Sequence, residues 1–144
     1  GETKKDANGV EYFCYYYDID NAELTVAVES RSHKIMNVGC GTTMSKYVSI
    51  DGEHQYSERI LNMSAVMAAA VGGYTSDDVE LFEKIFNETT FENKSSLAYE
   101  NNIFNLTTGK KGKKDENNDS TMLFRYFPVT DEHLTEWNIP TYSE

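Results

Sequence analysis

Residues 57–74, Ser-Glu-Arg-Ile-Leu-Asn-Met-Ser-Ala-Val-Met-Ala-Ala-Ala-Val-Gly-Gly-Tyr, constrain the fold more than any other stretch. Between Ile60 and Val71 only Asn62 and Ser64 interrupt the apolar run. Helical spacing puts Ile60, Met63, Met67 and Val71 on one stripe, with Leu61, Ala65, Ala68 and Ala69 beside it. The pattern predicts a buried central helix, apolar nearly all round. The run is too short to cross a hydrocarbon core, which takes about 20 residues, so a core helix of a soluble domain is expected. Its small residues, Ala65, Ala68, Ala69 and Ala70, suit close approach to bulky strand side chains, which predicts contact with an aromatic face of residues 12–17.

Residues 10–19 carry the clearest strand pattern, with Tyr12, Cys14 and Tyr16 on one face and Phe13, Tyr15 and Tyr17 on the other. Aromatic bulk on both faces predicts a central strand covered on both sides. Asp18 to Asn21 supplies a turn, and Leu24, Val26 and Val28 alternate in a second strand that would form a hairpin with the first. Strands are expected over 34–38 and 43–50, joined at Gly39-Cys40-Gly41-Thr42 by a tight turn or bulge.

Asp51 or Ser57 caps the central helix and Gly72-Gly73 ends it. Thr75 and Asp78 resemble a capping box for a second helix, whose Val79, Phe82, Ile85 and Phe86 form one apolar stripe. Residues 97–106 and 121–129 read as a long hairpin with its tip at 107–120, and Thr130 caps a short helix over 131–137 that presents Leu134 and Trp137. The order is ββββ-αα-ββ-α: an α+β fold with an antiparallel sheet of about six strands and helices mainly on one face. Residues 1–9 read as a polar tether and 10–144 as a single domain, a normal size for one core.

The net charge of −11 is uneven, with ten acids against three Lys/Arg over residues 51–100. Such a surface repels phosphate backbones, so nucleic acid and anionic membranes are poor partners and a cationic protein or ligand is favoured. The opening glycine and the polar residues after it favour an exported or surface-anchored protein, membrane-tethered through a removed segment, with a cytoplasmic one as the alternative. Sequons at Asn62, Asn87, Asn93, Asn105 and Asn118 fit export, although a buried helix at Asn62 argues against use of that one. Cys14 and Cys40 read as two buried thiols in preference to a disulfide.

No motif assigns chemistry. Asp18-Ile19-Asp20-Asn21 opens like a calcium loop, but Ala22 and Glu23 occupy places that need an oxygen ligand and a glycine. Asp115 to Asp119 lacks turn glycines. Gly39-Cys40-Gly41 could expose a thiol with His33 or His54 as base, yet no spacing selects that pairing. The same stretch lacks the Gly-Lys-Ser/Thr ending of a phosphate loop. His33, His54 and His133 share no ligand spacing, and no carboxylate pair stands out. Lys110 to Lys114 reads as a solvated loop tip balanced by the acids after it. No catalytic, metal or cofactor-binding residue is therefore assigned.

The aromatic residues Tyr12, Tyr15, Tyr16, Tyr17 and Trp137 remain as a binding face, unless Trp137 and Tyr142 fold back to cover it. The leading reading is a non-catalytic binding module of an exported or surface-anchored protein. Its alternatives are a cytoplasmic acidic inhibitor of the immunity type covering a basic partner, and an enzyme whose site is assembled from scattered residues.

Overall fold

The computed structural model describes residues 1–19, 22–43, 55–89, 96–110 and 120–143. Strands β1 (Glu2–Lys5), β2 (Glu11–Ile19), β3 (Ala22–Glu29), β4 (Ile35–Thr43), β5 (Ser96–Tyr99), β6 (Asn102–Lys110) and β7 (Ser120–Pro128) form one antiparallel sheet in the order β1-β2-β3-β4-β7-β6-β5. Helices α1 (Gln55–Gly72) and α2 (Val79–Glu88) follow β4, and α3 (Asp131–Trp137) follows β7. The class is α+β as expected, with seven strands where about six were expected. The additional one, β1, lies within the stretch read as a tether and pairs with β2 from Glu2↔Cys14 to Lys5↔Glu11.

The first four strands run as a meander. The chain then crosses through both helices and returns along β5, β6 and β7, so that β7 closes on β4 with Val38 opposite Tyr126 and Cys40 opposite Phe124. Helix α1 packs on β4, β7 and α2, and α2 packs on β6. Between helices and sheet, Ala65, Ala68, Phe82, Ile85, Cys40 and Phe104 are fully excluded from water. Phe82 stands edge-on to Tyr74 at 4.8 Å and to Phe104 at 5.0 Å, and Phe86 meets Phe104 at 5.0 Å. Each such pair contributes about 0.5–1.5 kcal/mol beyond its burial.

Small helix residues do face large aromatic ones, but α1 packs on β4 and β7, so the aromatic partners are Phe124 and Tyr126 of β7 rather than those of β2. The reason is width. Seven strands at about 4.8 Å span roughly 29 Å, whereas two helices about 10 Å across cover about four strands. The flank bearing β2 lies beyond them, so β2 is next to the sheet edge and open, against the expectation of a covered central strand. Helix α1 is likewise one-sided: Asn62 and Ala70 are exposed and Val66 is 47% exposed. Asn62 Nδ2 donates to Glu83 Oε1 across to α2 at 2.6 Å, so burial is no bar at that sequon.

Helix α1 ends in a Schellman motif. The Tyr74 N–H donates to the Ala69 carbonyl at 2.9 Å, and Gly73 takes a φ of +76°. Helix α3 starts where expected, with the Thr130 hydroxyl accepting from the His133 N–H. The turn or bulge expected at Gly39-Cys40-Gly41-Thr42 is corrected to continuous strand, since β4 runs through it to Thr43; the strand expected over 43–50 lies from residue 44 onward outside the described residues. Gly39 is there for packing, since a Cβ on it would stand 2.9 Å from Thr25 Oγ1 and 3.1 Å from Leu123 Cδ1. The stretch read as one strand over 97–106 is two, joined by a two-residue turn at Glu100-Asn101.

Candidate functional site

Register assigns each aromatic residue of β2 to a face, because residues opposite one another in an antiparallel pair share a face. Tyr15 lies opposite Val26 and Tyr17 opposite Leu24, on the face that carries α1 and α2. Tyr12 and Tyr16 lie on the other face, opposite Glu29 and Thr25. On that face the Tyr16 hydroxyl donates to Glu2 Oε1 at 3.0 Å, Lys4 Nζ lies 5.8 Å from the Tyr16 ring centre, and Lys4 pairs with Glu2 at 3.1 Å. Tyr16 thus serves the join between β1 and β2. Lysines at this outer strand also blunt a sheet edge that would otherwise recruit other strands.

Trp137 stands apart from these tyrosines. It stacks on His133 at 4.8 Å and meets Phe127 of β7 at 6.5 Å. Three strand spacings, about 14 Å, separate β7 from β2. The five expected residues therefore split into three places and form no single site. The C-terminal segment covers β5 instead of β2: the Ala98 N–H donates to the Pro140 carbonyl and the Tyr142 N–H to the Ala98 carbonyl, both at 2.8 Å. Tyr142 packs against the main core.

What stays open is the helix-side flank of β2. Tyr15 is 55% and Tyr17 65% exposed, beside half-buried Phe13, Leu24 and Val26. The Phe13 and Tyr15 rings meet edge-on at 4.7 Å, which gives the patch a rigid aromatic element.

A second cluster lies where α1 ends against the β5–β6 turn. The buried Tyr126 hydroxyl donates to Asn102 Oδ1 at 2.7 Å, Asn102 Nδ2 donates to the Tyr74 hydroxyl at 3.4 Å, and that hydroxyl donates to Glu100 Oε2. Burial pushes the Tyr126 phenol up to about 12. Burial also raises Tyr74, helped by the hydrogen bond to Glu100. Both hydroxyls are donors at neutral pH, and the chain of donors terminates on an exposed carboxylate. Glu100 itself has a φ of +53°, a left-handed conformation that costs a residue with a side chain about 1–2 kcal/mol. Glycine or asparagine would fill such a turn at less cost.

Neither thiol is placed for catalysis. Cys14 and Cys40 project from opposite faces of the sheet, two strands apart, and both are free. Burial pushes the Cys40 thiol up to about 11, and the space around it, lined by Val38, Ser64, Phe86 and Phe124, is too small to admit a water. Among the described residues no three His, Cys, Asp or Glu side chains converge as metal ligands. His33 lies in the β3–β4 turn and His133 on α3; His54, Asp20, Asn21, the cluster 115–119 and the lysines from 111 to 114 lie outside the described residues. Among the described residues no helix is long and apolar enough to cross a membrane.

The chain matches no family model, no curated protein and no solved structure. The Glu100 cluster was missed because 97–106 alternates well enough to pass for one strand. Its signal was the run Glu100-Asn101-Asn102, three polar residues in turn, which breaks that alternation.

Proposed function

We propose that the protein is a non-catalytic binding module of an exported or surface-anchored protein, and that it recognises another protein through the helix-side flank of β2. The observation that carries this reading is the exposure of Tyr15 and Tyr17 beside the half-buried apolar residues Leu24 and Val26, beyond the reach of α1. A flank with only solvent to meet would fold as well with threonine or lysine at those positions. Tyrosine adds large contact area at low entropic cost, the property that makes it a frequent interface anchor.

A peptide library selected against the immobilised wild-type chain tests this directly. Binders should lose at least about tenfold in affinity, some 1.4 kcal/mol, against Tyr15→Ser/Tyr17→Ser, and should keep it against Trp137→Ser. Binders that tolerate the tyrosine changes would place recognition elsewhere.

A second reading, an acidic inhibitor that covers a basic partner, is favoured by the entry to α2 and its length, where residues 76–89 carry Asp77, Asp78, Glu80, Glu83 and Glu88 against one basic residue, Lys84. Binding of that kind weakens steeply with added salt. Affinity unchanged between low and physiological salt would count against it.

A further inference from the structure

We propose that the partner protein docks on the β2 flank as a single amphipathic α-helix with a basic outer face, taking the third place in the helix layer beside α1. This names the partner element for the flank already assigned to recognition, and it rests on that assignment. The flank is a step and not a plane. Its floor is the helix side of β1, β2 and β3, where Tyr15 and Tyr17 are exposed and Leu24 and Val26 half-buried. Its wall is α1, which packs on β4, the strand next to β3. Helix α2 lies on the far side of α1, over β6, and Asn62 reaches across to its Glu83. Helical spacing therefore turns the half-buried Met63 and Met67 away from α2, toward β3.

The dimensions of the step select its occupant. Three strands at about 4.8 Å give a floor roughly 14 Å wide, and the wall rises by one helix thickness, about 10 Å. A single helix fills that space level with α1. The apolar floor along β3, from Ala22 to Val28, is about 20 Å long, the length of about 14 helical residues. A flat surface is held off the floor by α1. An extended segment laid there would leave its backbone N–H and C=O groups without partners, because β2 is already paired on both sides, with β1 and β3. A helix satisfies its own backbone and offers one apolar stripe to floor and wall together, and methionine side chains adapt to such a stripe. The net charge of −11 sets the other face, since lysine and arginine are drawn to an acidic surface whereas a second copy of this chain brings the same excess of acids.

Two synthetic peptides about 14 residues long, of identical leucine and lysine composition, separate a helix from any other cationic ligand. One places leucine at helical spacing and the other alternates leucine with lysine, the strand pattern. Each would be titrated into the folded chain while the methyl signals of Leu24, Val26, Met63 and Met67 are followed by NMR. The helical peptide should bind at least about tenfold more tightly than its isomer and shift all four residues saturably. Met63→Lys, which keeps the tyrosines and sets a like charge on the wall, should weaken the helical peptide more than its isomer; if that variant fails to fold, the wild-type methyl shifts decide alone. Equal binding of the two peptides, or shifts at Leu24 and Val26 without Met63 and Met67, would overturn the helix and leave the flank a protein-binding surface. Helical-peptide binding that avoids Leu24 and Val26, or survives Tyr15→Ser/Tyr17→Ser undiminished, would overturn both readings. A dimer in sedimentation that dissociates on the same tyrosine changes would give the flank to a second copy and overturn the helix, as would no saturable shift with either peptide.

Discussion

The Tyr126 hydroxyl lies 2.5 Å from the point where a Cβ on Gly72 would stand, and the Tyr74 ring lies 2.8 Å from it. Helix α1 therefore meets its last turn without a side chain because two tyrosines occupy that space. In an exposed helix Gly→Ala stabilises by about 1 kcal/mol. Here the added methyl group would have to displace a buried ring tip that is hydrogen-bonded to Asn102. Overpacking of this kind costs about 1–3 kcal/mol, so Gly72→Ala should destabilise despite its better helix propensity. Urea denaturation checks the sign; a stabilised variant would mean that Tyr126 yields freely.

Alkaline pH should loosen the fold through two buried groups. Cys40 is held at about 11 against an ordinary 9.0, and Tyr126 at about 12 against an ordinary 10.0, in both cases mainly by burial. Each keeps its proton to higher pH in the folded chain than in the unfolded one. Their contribution is complete below pH 9 and is lost as pH rises through about 11 for Cys40 and about 12 for Tyr126. Denaturation midpoints measured from pH 8 upward should fall, and Cys40→Ala should flatten the part of the fall between about 9 and 11. A flat profile to pH 11 would show that neither group is linked to folding.

Sequence reasoning recovered what local pattern decides. The stripe Val79, Phe82, Ile85 and Phe86 became the buried face of α2, and Thr130 became the cap of α3. It failed where the decisive neighbour lies on another strand. Gly39 looks like a turn residue until Thr25 and Leu123 are seen to close over it. Alternation in β2 assigned the faces of its tyrosines correctly but carried no information on how many strands lie on each side. Glu2–Lys5 has no apolar pattern and is a strand because the backbone of β2 offers it partners. The candidate sites divided in the same way: the faces of the β2 tyrosines follow from alternation but their exposure does not, and the Glu100 cluster depends on α1 ending beside a turn some 26 residues further along the chain.

Stability should rest on the ring cluster and not on the exposed tyrosines. Phe82 is fully buried and touches the rings of Tyr74, Tyr99, Phe104 and Tyr126, so Phe82→Ala should cost about 3–5 kcal/mol. Tyr15→Ser/Tyr17→Ser removes cross-strand contacts with Val26 and Leu24 on a largely solvated flank, and should cost no more than about 2 kcal/mol. Chemical denaturation of the two variants compares them directly. A larger loss from the tyrosine pair would make β2 a structural strand and not a recognition surface.

The central claim, that the helix-side flank of β2 is where a partner protein docks, is tested most directly by site-specific photo-crosslinking. A benzoylphenylalanine would be placed in turn at Tyr17 and at Trp137, which are comparably exposed at 65% and 47%. Each chain would be irradiated in the protein mixture of its native source. The account predicts one discrete crosslinked protein from position 17, competed by excess unlabelled wild-type chain, and none from position 137. Crosslinks of equal yield from both positions, or a discrete product from position 137 alone, would contradict it.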